Sequence, residues 1–511
     1  MKKQALKIFT FATALTIALM FSFTNNAMQD SNLDNPVTGL STLERAYQEW
    51  QAKNVNNTHI LNVQLGWIKG LSSEPSDAVG TARLNQTNGT ISLRIKDIKD
   101  GDWQLWFIEN HPEGSTIPEA TDKIVEVARF TSKDGIVDFE GKIDLALIDK
   151  MEIDRIAITR TGINPAEAFV LSGSPTLFER LQRRELLARR TESSIASRLV
   201  SWFTPTASAD KKDDLTRLIE DGKKLFNEEK FKGNGRTCAT CHPASNNFTI
   251  DPAFIATLPP NDPLFVAEFD PNLANNFENP ALMRQFGLIL ENVDGFEDLQ
   301  NKFVMRSVNH TLGMSQSLNA PDPVFGIDFT TNGVNPNPTQ RTGWGGDGSP
   351  GSGSLREFAI GAVIQHFPKT LSRTPGSDFR LPTDRELDAM EAFQLSLGRQ
   401  EEVNIRTLSV RDGLANNGKT LFLDTGNIGQ RGRKNCNACH FNAGATTGFA
   451  LNTQAPGFTP LLDGVALGFN GNQGTNTIAL PQVAALGLPV DGGFGKTPLP
   501  NGGFGTFAVI G

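Results

Sequence analysis

All four cysteines of this 511-residue chain sit in two copies of one pentad, Cys238-Ala239-Thr240-Cys241-His242 and Cys436-Asn437-Ala438-Cys439-His440. Cys-Xaa-Xaa-Cys-His is the pattern of covalent c-type haem attachment. Two thiols add across the two vinyl groups of a haem, and the intervening pair of residues lets the chain span one porphyrin edge. The histidine that follows then lies beneath the iron as its proximal ligand. An even cysteine count in an exported chain ordinarily suggests disulfides, but both pairs are consumed by the pentads. A zinc site would have to gather both pairs from distant parts of the chain, and it would leave the histidine after each pair unexplained. The pattern predicts two covalently bound haem c groups on Cys238, Cys241, Cys436 and Cys439, with His242 and His440 as iron ligands.

The pentads belong to a longer repeat. Gly222-Lys223-Lys224-Leu225-Phe226 leads into the first and Gly418-Lys419-Thr420-Leu421-Phe422 into the second, so a short helix plus motif occurs twice. Between them, Thr383 and Glu386 form a capping-box pattern. Leu387, Met390, Phe393 and Leu397 follow at helical spacing, which predicts a helix closing the first module. The region before the repeat is of another kind. Period-two alternation recurs in residues 61–65, 91–95 and 156–158, punctuated by Asn88-Gly89, Asp100-Gly101 and Asp134-Gly135. Short strands with frequent turns suggest a sandwich. The expected fold is multidomain: an N-terminal all-β sandwich-like domain over 37–175, then a basic, solvated connecting helix and linker over 176–211. Two mainly α cytochrome c-type haem domains follow, over 212–400 and 405–511, the second reading as truncated at its C-terminus.

Residues 1–27 begin Met-Lys-Lys, continue through an apolar run from Ile8 to Phe23 and end Asn25-Asn26-Ala27, the order of a secretory signal peptide. The run is shorter than the ~20 residues a spanning helix needs, which predicts a periplasmic protein without a membrane span once processed. A net charge of −8 and the lack of a basic tract exclude nucleic acid as the expected partner. His59 and His111 stand alone in the β region and read as surface or packing residues.

Function turns on the sixth ligand of each iron. A haem with a distal Met or His transfers electrons, whereas one with an open position binds peroxide or dioxygen. For the first haem the candidates are His310, Met314, Met305 and His366, with Arg306 to Met314 the densest cluster. After His440 there is neither Met nor His. The second iron is therefore five-coordinate, or borrows a ligand from the first module, or belongs to a chain cut short. Trp344 is the single Trp or Tyr between Asp210 and Gly511, and hence the one aromatic there suited to a radical or an electron relay.

On these residues, region 212–511 resembles the bacterial di-haem cytochrome c peroxidases and their quinone-maturing and rubber-oxygenase relatives. Arg306-Ser307-Val308 is similar to the family's Arg-Asn-Val, Trp344 with Asp347-Gly348 to its Trp-Asp-Gly, and Ser354-Leu355-Arg356-Glu357 to the stretch that follows. The resemblance implies two haem domains, one haem fed by a small periplasmic donor (a cytochrome c or a copper protein) and one reducing hydrogen peroxide. It places Trp344 between the haems, Glu357 as a candidate acid–base group, and a calcium ion at the domain interface. In the family the first module is the peroxide side. One departure stands out: Phe358 occupies the position of a glutamine. Phe cannot hydrogen-bond peroxide, and an apolar distal pocket fits an oxygenase relative better. A di-haem oxygenase, a quinone-maturing enzyme and a simple di-haem electron carrier are the rival readings.

Overall fold

The computed structural model describes residues 43–51 except 49, 59–192 except 75 and 77, 207–292 except 275, 295–314 except 301, 302 and 309, 354–398 and 407–423. The predicted signal peptide over 1–27, Trp344, Cys436, Cys439, His440 and most of 405–511 lie outside the described residues.

Eight strands form one antiparallel sheet. They are β1 (Ile60–Gly66), β2 (Val79–Asn85), β3 (Thr90–Lys96), β4 (Gly101–Glu109), β5 (Lys123–Ser132), β6 (Ile136–Lys142), β7 (Arg155–Arg160) and β8 (Leu171–Gly173). Their order is β5-β4-β7-β8-β1-β2-β3-β6. The two edge strands, β5 and β6, are consecutive in the chain. Asp134-Gly135 joins them, with φ of 54° and 75°, and Lys133 and Ile136 exchange both backbone bonds across the turn at 3.1 and 3.0 Å. Two positive φ values are what a tight two-residue hairpin requires. The sheet therefore curls back on itself as a nearly closed barrel. The expected sandwich is corrected here, because a single ladder runs from edge to edge and, among the described residues, no second sheet faces it. Alternation alone reports which face is buried, not which strands pair.

Inside the barrel lie Leu61, Val63, Leu65, Leu93, Ile95, Trp103, Leu105, Phe107, Ile156 and Ile158, all nearly inaccessible. β3 alternates buried and half-exposed residues as expected. β1 and β7 are buried on both faces, because helices cover the outer one. Helix α1 (Leu177–Glu192) lies over β1, where Glu179 accepts the Asn62 backbone N–H at 3.0 Å. The expectation of a solvated connecting helix fails for this reason. Arg180 and Arg183 are 4% and 2% exposed, and Arg183 donates to the carbonyls of Met151 and Ile148 at 2.7 and 2.8 Å.

The remaining helices are α2 (Ala207–Glu228), the one-turn α3 (Cys238–Cys241), α4 (Leu355–His366), α5 (Asp384–Leu395) and α6 (Gly413–Phe422), with short helical turns and a hairpin of β9 (Leu288–Glu291) and β10 (Val304–Ser307) between them. Thr383 and Glu386 cap α5 reciprocally, as their spacing predicts. Gly222 of α2 meets α5 so closely that a Cβ would stand 1.9 Å from the Ala389 carbonyl oxygen. Phe226 and Phe393 pack across this junction with ring centroids 5.3 Å apart.

The expectation of two mainly α haem domains is overturned. Among the described residues the helices form one body whose cores are shared with the barrel and with the chain before it. Leu43, Tyr47 and Trp50 pack with Leu177, Phe178, Leu218 and Phe393. Ile68, Ile108, Ala157 and Phe169 of the barrel region pack with Ile360, Val363, Ile364 and Phe367. Burial of apolar surface on both sides of a boundary removes that boundary as a domain limit.

Candidate functional site

Arg236 anchors the segment that carries the first pentad. Its side chain is 1% exposed, and it donates to Glu278 at 2.8 Å and to the carbonyls of Leu264 and Pro263 at 2.7 and 3.2 Å. The next residue, Thr237, donates its N–H to Thr240 Oγ1 at 2.9 Å. The single turn of α3 follows, and the His242 N–H closes it on the Cys238 carbonyl at 2.9 Å. A turn of helix thus brings both cysteines and the histidine to one place.

The chain then doubles back through Asn247 and Phe248, at φ of 56° and 57°. Two successive non-glycine residues in the left-handed region are costly. The bend brings the Phe248 carbonyl within 2.9 Å of His242 Nδ1. A proton on Nδ1 satisfies that carbonyl and makes Nε2 the nitrogen suited to a metal, the usual arrangement of a ligating histidine.

Cys238, Cys241 and His242 line a cavity that encloses about 1150 Å³ between atoms, its open mouth included. Phe226 of α2 and Met390 of α5 form part of its wall. One face of α4 forms another part, presenting Leu355, Phe358, Ala359, Ala362 and His366 at helical spacing. Ala359 and Ala362 are the small residues of this face, between the larger Leu355, Phe358 and His366. His310, Thr311 and Met314 complete the wall after β10. Burial pushes the Cys238 thiol up to about 12 and the Cys241 thiol up to about 11. Thiolate character, which disulfide exchange and zinc binding need, is suppressed at both.

The fold thus brings together six sequence-predicted residues: Cys238, Cys241, His242, His366, His310 and Met314. It distinguishes the last two. His310 Nδ1 accepts the Leu312 N–H at 3.2 Å, which commits the lone pair of a neutral imidazole and puts the proton on Nε2. Met314 has a thioether and, like Cys238, packs against the hydrophobic cluster that includes Leu218 and Phe393. Met305, on β10, does not line the cavity, while Arg306 and Ser307 do.

Glu357 is placed elsewhere. It is not a lining residue, and its carboxylate accepts the backbone N–H and hydroxyl of Ser174 and pairs with Arg155 at 3.2 Å. The cavity instead receives its neighbour Phe358. Successive helical residues stand about 100° apart, so one of the two faces the barrel when the other faces the cavity. His366 does line the cavity, but its Nε2 is 2.6 Å from Glu291 Oε1. Sequence reasoning missed Glu291 altogether. Its one signal is an acidic residue ending the apolar run Leu288-Ile289-Leu290.

Among the described residues no group of three or more His, Cys, Asp and Glu is arranged to hold a metal ion, so a calcium site is not placed. Among them, too, no helix is long and apolar enough to cross a membrane. No family model, curated protein or solved structure matches the chain.

The residues of the cavity fit a haem c. The thiols and the histidine line the cavity together, His242 Nδ1 is engaged by a carbonyl so that Nε2 would be the nitrogen to hold the iron, and the enclosure is largely apolar.

Proposed function

We propose that this chain is an exported c-type cytochrome oxidoreductase that binds two haems covalently, the first of them in the cavity beside α3. Cys238 and Cys241 would carry its thioether bonds and His242 its iron. The observation that carries this reading is the convergence of the pentad, the Phe248-engaged imidazole and Met314 on one largely apolar cavity. When bound, the haem supplies a one-electron couple and, at an open position, a site for reducing peroxide.

The chain's own residues favour electron transfer at this haem. Met314 offers a thioether, the ligand that raises the potential of a cytochrome c. His310 holds its Nδ1 on the Leu312 N–H and lines the same cavity. Phe358 excludes water and offers no hydrogen bond. The partner in this reading is a small periplasmic redox protein, a cytochrome c or a copper protein, and the second pentad holds the other haem through Cys436, Cys439 and His440. Hydrogen peroxide reduction is the second reading, favoured by one observation: the His366–Glu291 pair places a proton-bearing group on the cavity wall. Relay through Trp344 belongs to the same reading.

Haem content after export in a host with a cytochrome c maturation system tests the proposal. Two covalent haems per chain are expected, falling to one in the double variant C238A/C241A. A colourless protein, or pigment extracted by acidified organic solvent, overturns it. Oxidation of a reduced small cytochrome c that depends on peroxide would select the second reading over the first.

A further inference from the structure

One wall of the cavity gathers ionisable side chains although the cavity surface as a whole is largely apolar. His366 ends α4, and its two ring nitrogens face two carboxylates, Glu291 at 2.6 Å from Nε2 and Glu278 at 3.9 Å from Nδ1. Lys69, from the chain just after β1, reaches across from the barrel. Its Nζ lies 3.5 Å from Glu291 and 2.9 Å from Gln365 Oε1. Arg236 holds Glu278 at 2.8 Å. Arg373, stacked 4.3 Å from the centre of the Phe296 ring, adds a positive charge acting on both glutamates. Lys69, Glu278, Glu291 and Arg236 are each at most 6% exposed. Of these groups Glu291, Arg236 and His366 line the cavity itself, as does Arg306 of β10, the strand paired with the one that carries Glu291.

We propose that Glu291 and His366 are a redox-linked proton pair, which takes up a proton when a haem in this cavity takes up an electron, and that Lys69 brings the barrel's charge to bear on that coupling. The inference rests on the haem reading of the cavity. Its physical basis is that added negative charge in a water-poor enclosure is felt strongly by a titratable neighbour. Ferric iron gains one electron from a reduced donor, which is oxidised by one electron, and the pair gains one proton from solvent. The pair therefore binds its proton more tightly in the reduced protein, and by reciprocity the potential falls as pH rises. Burial works against ionisation of Glu291, but the charges of His366 and Lys69 prevail and hold it down at about 2. The two groups meet in one hydrogen bond, between Nε2 and Oε1. Lys69 acts on the pair through space and is a positioning residue.

The test is the midpoint potential of the haem on Cys238 and Cys241, measured by spectroelectrochemistry of the full haem-loaded chain across pH. The wild type is expected to lose up to about 59 mV per pH unit, the one-electron value for a tenfold change, over a limited window. H366Q and E291Q should flatten that slope. K69M should retain the slope but move the window to higher pH, because the pair holds its proton more tightly without the lysine's charge. Far-UV circular dichroism and haem content establish that each variant folds and loads. Should the cavity-wall variants not fold, the K69M displacement decides. A flat wild-type profile, or a haem-loaded wild type whose slope and window survive in every folded variant, overturns the proposal while leaving the haem reading intact. Absence of covalent haem from the wild type overturns the haem reading itself.

Discussion

Glu391 shows how burial sets the chemistry of a single side chain. It is 1% exposed on α5, and one carboxylate oxygen accepts the Leu177 N–H at 3.0 Å. Burial pushes its carboxyl up to about 8, with the Asp388 charge adding to the rise and Arg356 opposing it. The neutral form is the one the fold accommodates. Its contribution to stability is complete below about pH 4.5 and is lost as pH rises through 8. E391Q should therefore melt at a higher temperature than the wild type at pH 9, the two converging near pH 5; a thermal melt series reads this. Glu357 differs in kind. Its carboxylate is spent on Ser174 and Arg155, so E357Q should cost about 1–3 kcal/mol of stability and leave the haem spectrum unmoved. A spectral change without destabilisation would place Glu357 in the cavity chemistry instead. The identity of Glu357 as an acid was legible from the motif, but its direction was not. A rotation of about 100° per residue separates a cavity-facing position from a barrel-facing one, and only the packing of α4 decides which is which.

At the scale of elements, the close crossing of α2 and α5 rests on Gly222. A methyl group there would meet the backbone of Ala389, and a backbone atom cannot rotate away as a side-chain tip can. G222A should lower stability by about 2–3 kcal/mol and loosen Phe226, which lines the cavity. Chemical denaturation and haem retention measure the two effects together, and an unperturbed variant would mean that the helices part at no cost. The Gly-Lys-Xaa-Leu-Phe lead-in thus has a physical content, which is that its glycine admits a neighbouring helix and its phenylalanine walls the cavity. α5 was legible down to its capping box, because capping and 3.6-residue spacing are local. The bend at Asn247 and Phe248 was not, since no local rule favours left-handed backbone for phenylalanine.

Across the whole molecule, the barrel and the helices are joined by buried charge as well as apolar surface. Arg180 bonds both Asp154 and Asp388, and Arg356 bonds both Asp384 and Asp388. Arg184 reaches Asp388 at 3.1 Å. Burial alone would raise Asp388, but Arg180, Arg356 and Arg184 hold it at about 2. Its stabilising share is present above about pH 4 and disappears as pH falls toward 2. R356M leaves Asp384 and Asp388 buried with one cation fewer. The expected cost is about 3–5 kcal/mol, read as a lower midpoint in urea, and a change below 1 kcal/mol would show that the network is dispensable. The same junction carries Lys69 from the barrel to Glu291 on the cavity wall, so damage to the barrel should be felt at the cavity.

By itself the sequence determined the elements whose causes are local: the three strands β1, β3 and β7 and the Asp134-Gly135 turn, the capped α5, and the residues of the first pentad. Tertiary structure alone decided that the strands form one curled sheet, that Arg180 and Arg183 of α1 are buried, and that helices and barrel share their cores. It also decided which of His310, Met314, Glu357 and His366 reach the cavity. The reason is that strand pairing, helix rotation and charge burial depend on contacts between residues far apart in the chain, and periodicity records only that one face is to be buried, never against what.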